Sequence, residues 1–251
     1  MKGSTPAGTA GEQEAARWVH GMFARVARRY DLLNHLLSLN VDRYWRARTA
    51  SRLRDVLRRP DARVLDICCG TGDLALALER ARGAGVMASD FCHPMLAAAA
   101  AKFARRGCRS TLFEADALAL PVAAGSLDCI TAAFGFRNLA NYRAGLVEMR
   151  RVLKPGGVAA ILEFSQPPNP LLAALYGFYS RRLLPAVGGL VSGSRDAYAY
   201  LPESVRKFPG AERLAAEMRA AGFAEVGFER MSFGIVALHT GVAGTGVNLR
   251  N

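Results

Sequence analysis

The chain has 251 residues, 51% of them hydrophobic, enough for one α/β domain with a sizeable core and a short extension. Lys and Arg outnumber Asp and Glu by 33 to 21, a net charge of +12; this points to an anionic partner (nucleic acid, a membrane surface or a charged substrate) or simply to an arginine-rich composition. Five cysteines, an odd number with Cys68 and Cys69 adjacent, argue against a disulfide framework or zinc-ligand spacing and suit a reduced, cytoplasmic chain. No apolar run at the start suits a signal peptide, and no stretch approaches the roughly 18 apolar residues a membrane-spanning helix needs.

In chain order, residues 1–12 are small, polar and Gly/Pro-bearing and read as a disordered tail, ahead of a single domain over 13–241. From Glu14 the period becomes helical: Trp18, Met22 and Val26 recur every four residues, with Val19, Phe23 and Tyr30 beside them and Arg17, Arg25, Arg28 and Arg29 between. Such a helix is a surface helix, a lid over a ligand, or a membrane-touching segment. Helical stretches at 32–37 and 43–57 follow, so 13–60 is expected to form an N-terminal helical lid.

The stretch Arg63-Val-Leu-Asp-Ile-Cys-Cys-Gly-Thr-Gly-Asp73 opens a β-α-β rhythm. Val64, Leu65 and Ile67 predict a buried strand with Asp66 near its end, and Gly70-Thr71-Gly72 predicts a turn into a helix over 73–82. Residues without Cβ let backbone approach a ligand there, and the helix N-terminus offers N–H groups to a polar or negative one. Strands at 86–89, 110–114, 127–133 and 158–164, helices at 94–105 and 142–153, and a Lys154-Pro-Gly-Gly157 turn continue the pattern. They imply a doubly wound, mostly parallel sheet with ligands at the C-terminal strand ends. Residues 166–209 break the rhythm with Pro167, Pro168 and Pro170. The aromatics Tyr176, Phe178, Tyr179, Tyr198 and Tyr200 follow, interleaved with Arg181, Arg182 and Arg195; this is read as an insertion covering the site. A helix at 211–221, strands at 225–230 and 232–240, and a flexible tail at 242–251 close the chain.

Two acids and one loop carry candidate chemistry. Asp90 ends the second strand 18 residues after Gly72, where an acid can accept from both hydroxyls of a ribose; it could equally cap the next helix. Asp116-Ala117 follows the third strand, where a carboxylate and a backbone N–H can hold an adenine edge, unless the acid is merely solvated. Phe134-Gly-Phe-Arg-Asn138 follows the fourth strand, where a substrate would lie; Arg137 and Asn138 supply directional donors. Gln166-Pro-Pro-Asn169 has the wrong order for nucleic-acid amino-methylation, and no cysteine follows a proline as cytosine C5 methylation requires, so nucleic acid is not expected as substrate. His239, in an apolar strand, reads as structural rather than as a base, and Cys92-His93 lacks the further ligands of a metal site.

The glycine stretch resembles the first motif of class I S-adenosylmethionine (SAM) methyltransferases. A closer resemblance covers about 23–241. Phe23-x-x-Val-Ala-x-x-Tyr-Asp-x-x-Asn34, Phe134-Gly-x-Arg-Asn138, Arg151-Val-Leu-Lys-Pro-Gly-Gly157, Tyr200-Leu-Pro-Glu-Ser204 and Gly234-Ile-Val-Ala-Leu-His239 are together similar to the ubiquinone/menaquinone biosynthesis C-methyltransferase family. The resemblance implies a Rossmann-like class I SAM-dependent methyltransferase fold, SAM as cofactor, and C-methylation of a prenylated quinol such as demethylmenaquinol. A SAM methyltransferase with another small molecule or nucleic acid as substrate, or a non-catalytic SAM-binding partner, stays open. The expected cofactor residues are Asp66, Gly70, Thr71, Gly72, Asp90, Phe91, Asp116, Ala117 and Ala133, the last standing where the family often has Ser. Arg137 is expected to stabilise a phenolate and Asn138 to orient its oxygen. Tyr30 and Asp31 are expected to relay the proton. No metal is expected; peripheral contact with the inner face of a membrane and a homodimer are compatible with this reading.

Overall fold

The computed structural model describes residues 3–27, 30–179 and 195–244, with the side chains of Leu33 and 195–199 also outside the description. Arg28, Arg29, Arg181, Arg182, the side chains of Arg195 and Tyr198, and the tail beyond Gly244 therefore lie outside the described residues.

Helices α1 (Glu12–Val26), α2 (Tyr30–Leu37), α3 (Val41–Arg52) and α4 (Arg54–Leu57) precede the sheet. Next come β1 (Val64–Ile67), α5 (Asp73–Arg82), β2 (Met87–Asp90), α6 (His93–Arg106), β3 (Thr111–Glu114) and β4 (Leu127–Ala133). A 3-10 turn Phe136–Asn138 leads to α7 (Tyr142–Val152), β5 (Leu153–Phe164), α8 (Pro170–Phe178), α9 (Arg195–Lys207), α10 (Ala211–Ala220), β6 (Phe223–Met231) and β7 (Val236–Ala243). The sheet order is β3-β2-β1-β4-β5-β7-β6, parallel except for β7, which runs antiparallel to both neighbours. This is the doubly wound, mostly parallel sheet expected from the β-α-β spacing.

Strand periodicity divides the core into two. Leu65, Ile67, Ile130, Ala132 and Ile161 face α7 and α10, joining Leu146, Met149, Leu214 and Met218. Val64, Cys129, Ala160 and Leu162 face the other way, onto Trp45, Leu53, Leu57, Leu74, Leu78 and Phe103. The central strands are buried on both faces, so they read as apolar runs rather than as alternation.

Three local expectations are corrected. The 43–57 stretch is not one helix: Leu53 (φ −94°, ψ 8°) separates α3 from α4 while its side chain stays buried. Lys154–Gly157 is not a turn before β5 but lies inside it. Leu127 pairs with Leu153 and Cys129 with Val158, so the extra residues bulge outward, with Gly156 at φ +78°. Residues 3–5, inside the segment expected as a loose tail, lie against the domain. Ser4 N donates to Leu139 O (2.7 Å), Ser4 Oγ shares a 2.6 Å hydrogen bond with Tyr200 Oη, and Lys207 Nζ donates to Thr5 O. A Cβ on Gly3 would sit 2.1 Å from the Ala140 carbonyl, so the small residues that looked like disorder permit close packing instead.

Gly72 shows what the α5 entry demands. Its φ is +84°, and a Cβ there would stand 2.4 Å from Phe103 Cε1. Gly72→Ala should lose about 1–2 kcal/mol to the left-handed backbone alone, read as a lower denaturant midpoint at constant m-value. Adding Phe103→Leu should recover the clash component, so an additive double mutant would show that Phe103 is not what confines this position.

Candidate active site

Because β1, β2, β3 and β4 run parallel, their C-terminal ends deliver four loops to one edge of the sheet. After β1 the chain enters left-handed backbone at Cys68 (φ +50°) and Gly70 (φ +55°). Gly70 N then donates to Asp90 Oδ2 (2.8 Å), while Cys92 N donates to Asp90 Oδ1 (2.9 Å). Burial pushes the Asp90 carboxyl up, opposed by these backbone amides. The cleft so framed is lined by Gly70, Asp90, Phe91, Met95, Asp116, Ala117 and Asn138, with Tyr30 and Phe23 reaching in from the N-terminal helices. Asp116 is exposed, and its Oδ1 is held by Leu118 N.

The donor set suits a nucleoside carrying an amino-acid group. It offers a buried carboxylate at the end of β2, an acid with backbone amides after β3, and apolar walls from Phe91 and Met95. Gly70 also leaves open the space that a Cβ would fill, 3.5 Å from Met95 Cε and 3.8 Å from Tyr30 Cε1. These residues fit SAM.

A second cavity of about 430 Å³ is apolar. Its walls include Trp45, Phe164, Leu172, Leu175, Tyr176 and Arg137, and Tyr30 and Phe134 line both cavities. Trp45, Phe134 and Phe164 form an aromatic cluster with ring centroids 4.9–6.5 Å apart. Into this greasy wall Arg137 brings a buried cation. Its Nη1 donates to Glu163 Oε1 (3.0 Å) and to Phe134 O, its backbone N donates to Glu163 Oε2 (3.1 Å), and its guanidinium lies 5.3 Å from the Phe164 ring centroid. Arg137 Nε is buried with no hydrogen-bond partner. Burial alone would lower the Arg137 pKa, but Glu163 outweighs it and holds the group charged; burial pushes Glu163 upward against Arg137. The Tyr30 phenol is also pushed up by burial, with Arg137 opposing.

Several expected site residues lie elsewhere. Asn138 neighbours Arg137 in sequence but faces the cofactor cleft, where its Oδ1 accepts from Tyr200 Oη (3.1 Å). Asp31 lines neither cavity: it accepts from Thr71 Oγ1 and pairs with Lys102 Nζ (2.6 Å). Thr71 is thereby engaged on the far side of the glycine loop, also accepting from Lys102 (3.1 Å), and Gly72 packs under Phe103. Ala133 ends β4 without lining the cleft. Asp66 is fully buried beneath the loop. Thr131 Oγ1 donates to its Oδ1 (2.7 Å), and Oδ2 lies near the Ala75 amide without a well-formed bond. His239 is buried, donates through Nε2 to Ala211 O (2.8 Å) and is held toward the neutral form by burial, a structural role. His35, Asp42 and Asp73 could together reach a cation, but Arg46 and Lys102 already engage the two carboxylates.

Sequence reasoning missed Glu163, Lys102, Cys68 and Met95. Glu163 carried a signal, an acid inside the apolar strand Ile-Leu-Glu-Phe; a charge there needs a partner. Lys102, in the alanine-rich α6, gave none.

The model of the ubiE/COQ5 methyltransferase family matches residues 9–243. A demethylmenaquinone methyltransferase of Thermus thermophilus is 50% identical over 221 residues, covering 88% of this chain and 99% of the relative. A ubiquinone/menaquinone biosynthesis C-methyltransferase of Paracoccus denitrificans is 43% identical, covering 93% of each. Among solved structures, a SAM-dependent methyltransferase from Thermotoga maritima superposes with a TM-score of 0.63 at 18% identity, over 90% of this chain and 99% of the other, a likeness of fold.

Burial raises Asp66 from 3.8 to about 7. The folded chain therefore binds this proton more tightly than the unfolded one, and the associated stability is full below about pH 4 and lost as pH rises through about 7. Asp66→Asn stays neutral throughout. Its melting temperature relative to wild type should climb between those two pH values and then flatten; a difference constant with pH would show that Asp66 is ionised in the fold.

Proposed function

The chain belongs to the ubiE/COQ5 methyltransferase family and takes SAM as its cofactor, and from that footing we propose that it methylates a ring carbon of a prenylated quinol, demethylmenaquinol to menaquinol. The observation that carries the reading is the pair of cavities sharing Tyr30 and Phe134, one bearing Asp90 and Asp116 and suited to a nucleoside, the other largely apolar with the buried Arg137 and Arg46 in its wall. A quinol ring with a long hydrocarbon tail suits the second cavity better than a nucleobase does, since a polar base would lose hydration without finding partners there. Such a substrate lives in a membrane, so peripheral contact with a bilayer belongs to the same reading.

SAM, when bound, supplies an electrophilic methyl group. The chain's own residues make the ring carbon a nucleophile. A hydroquinone carbon ortho to a hydroxyl gains that character once the hydroxyl loses its proton, so a site that favours the phenolate favours the reaction. Arg137, pre-set by Glu163 and Phe134 O, offers fixed positive charge inside the apolar wall, where electrostatic stabilisation is strong and needs no reorganisation. Tyr30 Oη, in the wall common to both cavities, is the group assigned to relay the released proton. Asp31 acts at a distance, tying α2 to the glycine loop, and Asn138 serves the cofactor side. The aromatic walls exclude water from the reacting ring.

The test uses labelled SAM and demethylmenaquinol kept reduced, with a parallel sample lacking reductant. Label should enter the ring only in the reduced sample; equal labelling, or none despite SAM binding, would overturn the quinol reading. Arg137→Ala would strand the buried Glu163 charge and cost about 3–5 kcal/mol, so Arg137→Lys is the cleaner variant. It should lower turnover by roughly 10²-fold while SAM affinity stays within about threefold. A matching loss of SAM affinity would move Arg137 to the cofactor site.

A further inference from the structure

The face around the mouth of the apolar cavity shows large side chains that the fold does not bury. Leu39 is 80% exposed and Phe233 79%, the highest values among the exposed large apolar residues described, and both line that cavity. Both also have left-handed backbone, φ +52° and +59°, a region that bulky L-residues rarely adopt. Strain at two separate loops that turns two apolar side chains outward indicates selection for their position. α8 borders the same cavity; its Leu171, Leu175 and Phe178 are 59–69% exposed and it buries no residue. With Leu172 and Tyr176 turned to the cavity and these three side chains left exposed, α8 presents hydrocarbon that a lipid interface would cover.

Across α2 and α3 lies a third cavity of opposite character. Arg43, Arg54, Arg58, Arg80, Arg105 and Arg106 line it, all exposed, and none has a carboxylate partner among the described residues. Arg46 lines both this groove and the apolar cavity, so the two are joined through one side chain. Six unpaired arginines in one groove repel one another unless anions enter, and their planar forks match phosphate oxygens.

We propose that this face docks on a bilayer containing anionic lipid, with Leu39, Phe233 and α8 inserted around the cavity mouth and the arginine groove seated on lipid phosphates. The prenyl tail of the quinol then passes from the acyl layer into the cavity without crossing water. This rests on the reading of a tail-bearing substrate and adds the surface and the lipid chemistry. A second copy of the chain would bring like-charged grooves together, whereas an anionic bilayer supplies both the hydrocarbon and the counter-charge.

The experiment needs neither quinol nor SAM. The full chain is floated with vesicles of phosphatidylcholine alone or with added phosphatidylglycerol, at low and high salt. Binding is expected only with the anionic lipid, weakened by salt. Arg54→Glu/Arg58→Glu should lower partitioning roughly tenfold or more, while Arg143→Glu/Arg213→Glu, the same charge change elsewhere, should not. Phe233→Trp should show a blue-shifted emission on anionic vesicles, and Leu171→Ser with Phe178→Ser, exposed on α8 and outside the cavity lining, should weaken binding without lowering the melting temperature. Equal loss in the two arginine pairs, pyrophosphate binding in the groove without vesicle binding, or an apolar double variant that changes only self-association would each overturn the proposal. Methylation of a short-tailed, water-soluble quinol by the Arg54→Glu/Arg58→Glu and Leu171→Ser/Phe178→Ser variants reads the catalytic assignment separately: activity kept while vesicle binding is lost supports the docking surface, and vesicle binding with no methylation retains it while the quinol reading fails.

Discussion

The site depends on a chain of charges that fastens two helices to a loop. Lys102 of α6 reaches Asp31 (2.6 Å) and Asp73 (2.7 Å), Asp31 accepts from Thr71, and Arg46 grips Asp42 and approaches Asp73 at 3.9 Å. His35 spans the two acids, 2.9 Å from Asp42 and 3.7 Å from Asp73. Attraction to these cations, with hydrogen bonds such as that from Ser38, holds Asp42 and Asp73 below the usual carboxylate range although burial works the other way. Nothing in the sheet itself would place α2 and α3 over the strand ends. The network does so, and with it come Tyr30, which lines both cavities, and Trp45, which walls the apolar one.

That network explains what could and could not be read from sequence. The strands, the glycine turn, Asp90 and Asp116 follow from local rules: apolar runs, φ > 0 at glycine, and acids at strand ends. The orientation of Thr71 and Asp31 does not. Each lies beside a residue that does face a cavity, Gly70 and Tyr30, and neighbouring residues on a turn or helix point in different directions. Only Lys102, distant in sequence, decides that they point to each other. Arg137 and Asn138 separate for the same reason, as consecutive residues of a 3-10 turn. The contacts of residues 3–5 were not legible because composition cannot tell a segment that is small because it is loose from one that is small because it lies against backbone.

The two cavities divide the chemistry in a way the fold enforces. Parallel strands bring amide-rich loops to one edge, which suits a polar, charged cofactor. The apolar cavity is made from what is added to that plan: α2 and α3 before it, α8 and the Ser232–Gly234 turn after it. Arg137 is the one residue that carries charge from the strand-end loops into the added apolar wall, and Glu163, at 1% exposure, keeps that charge fixed in direction.

The position of β7 has a bearing on how the chain is made. It slots between β5 and β6, pairing with β5 from Val158 to Phe164 and with β6 from Phe223 to Met231. During synthesis every other described strand leaves the ribosome before it. Until it arrives, β5 has an open edge of unpaired amides and β6 has no partner at all. The nascent protein therefore holds a sticky, unfinished sheet for the time needed to make its final stretch, and a ribosome stalled just short of Val236 would release a species primed to pair with other chains.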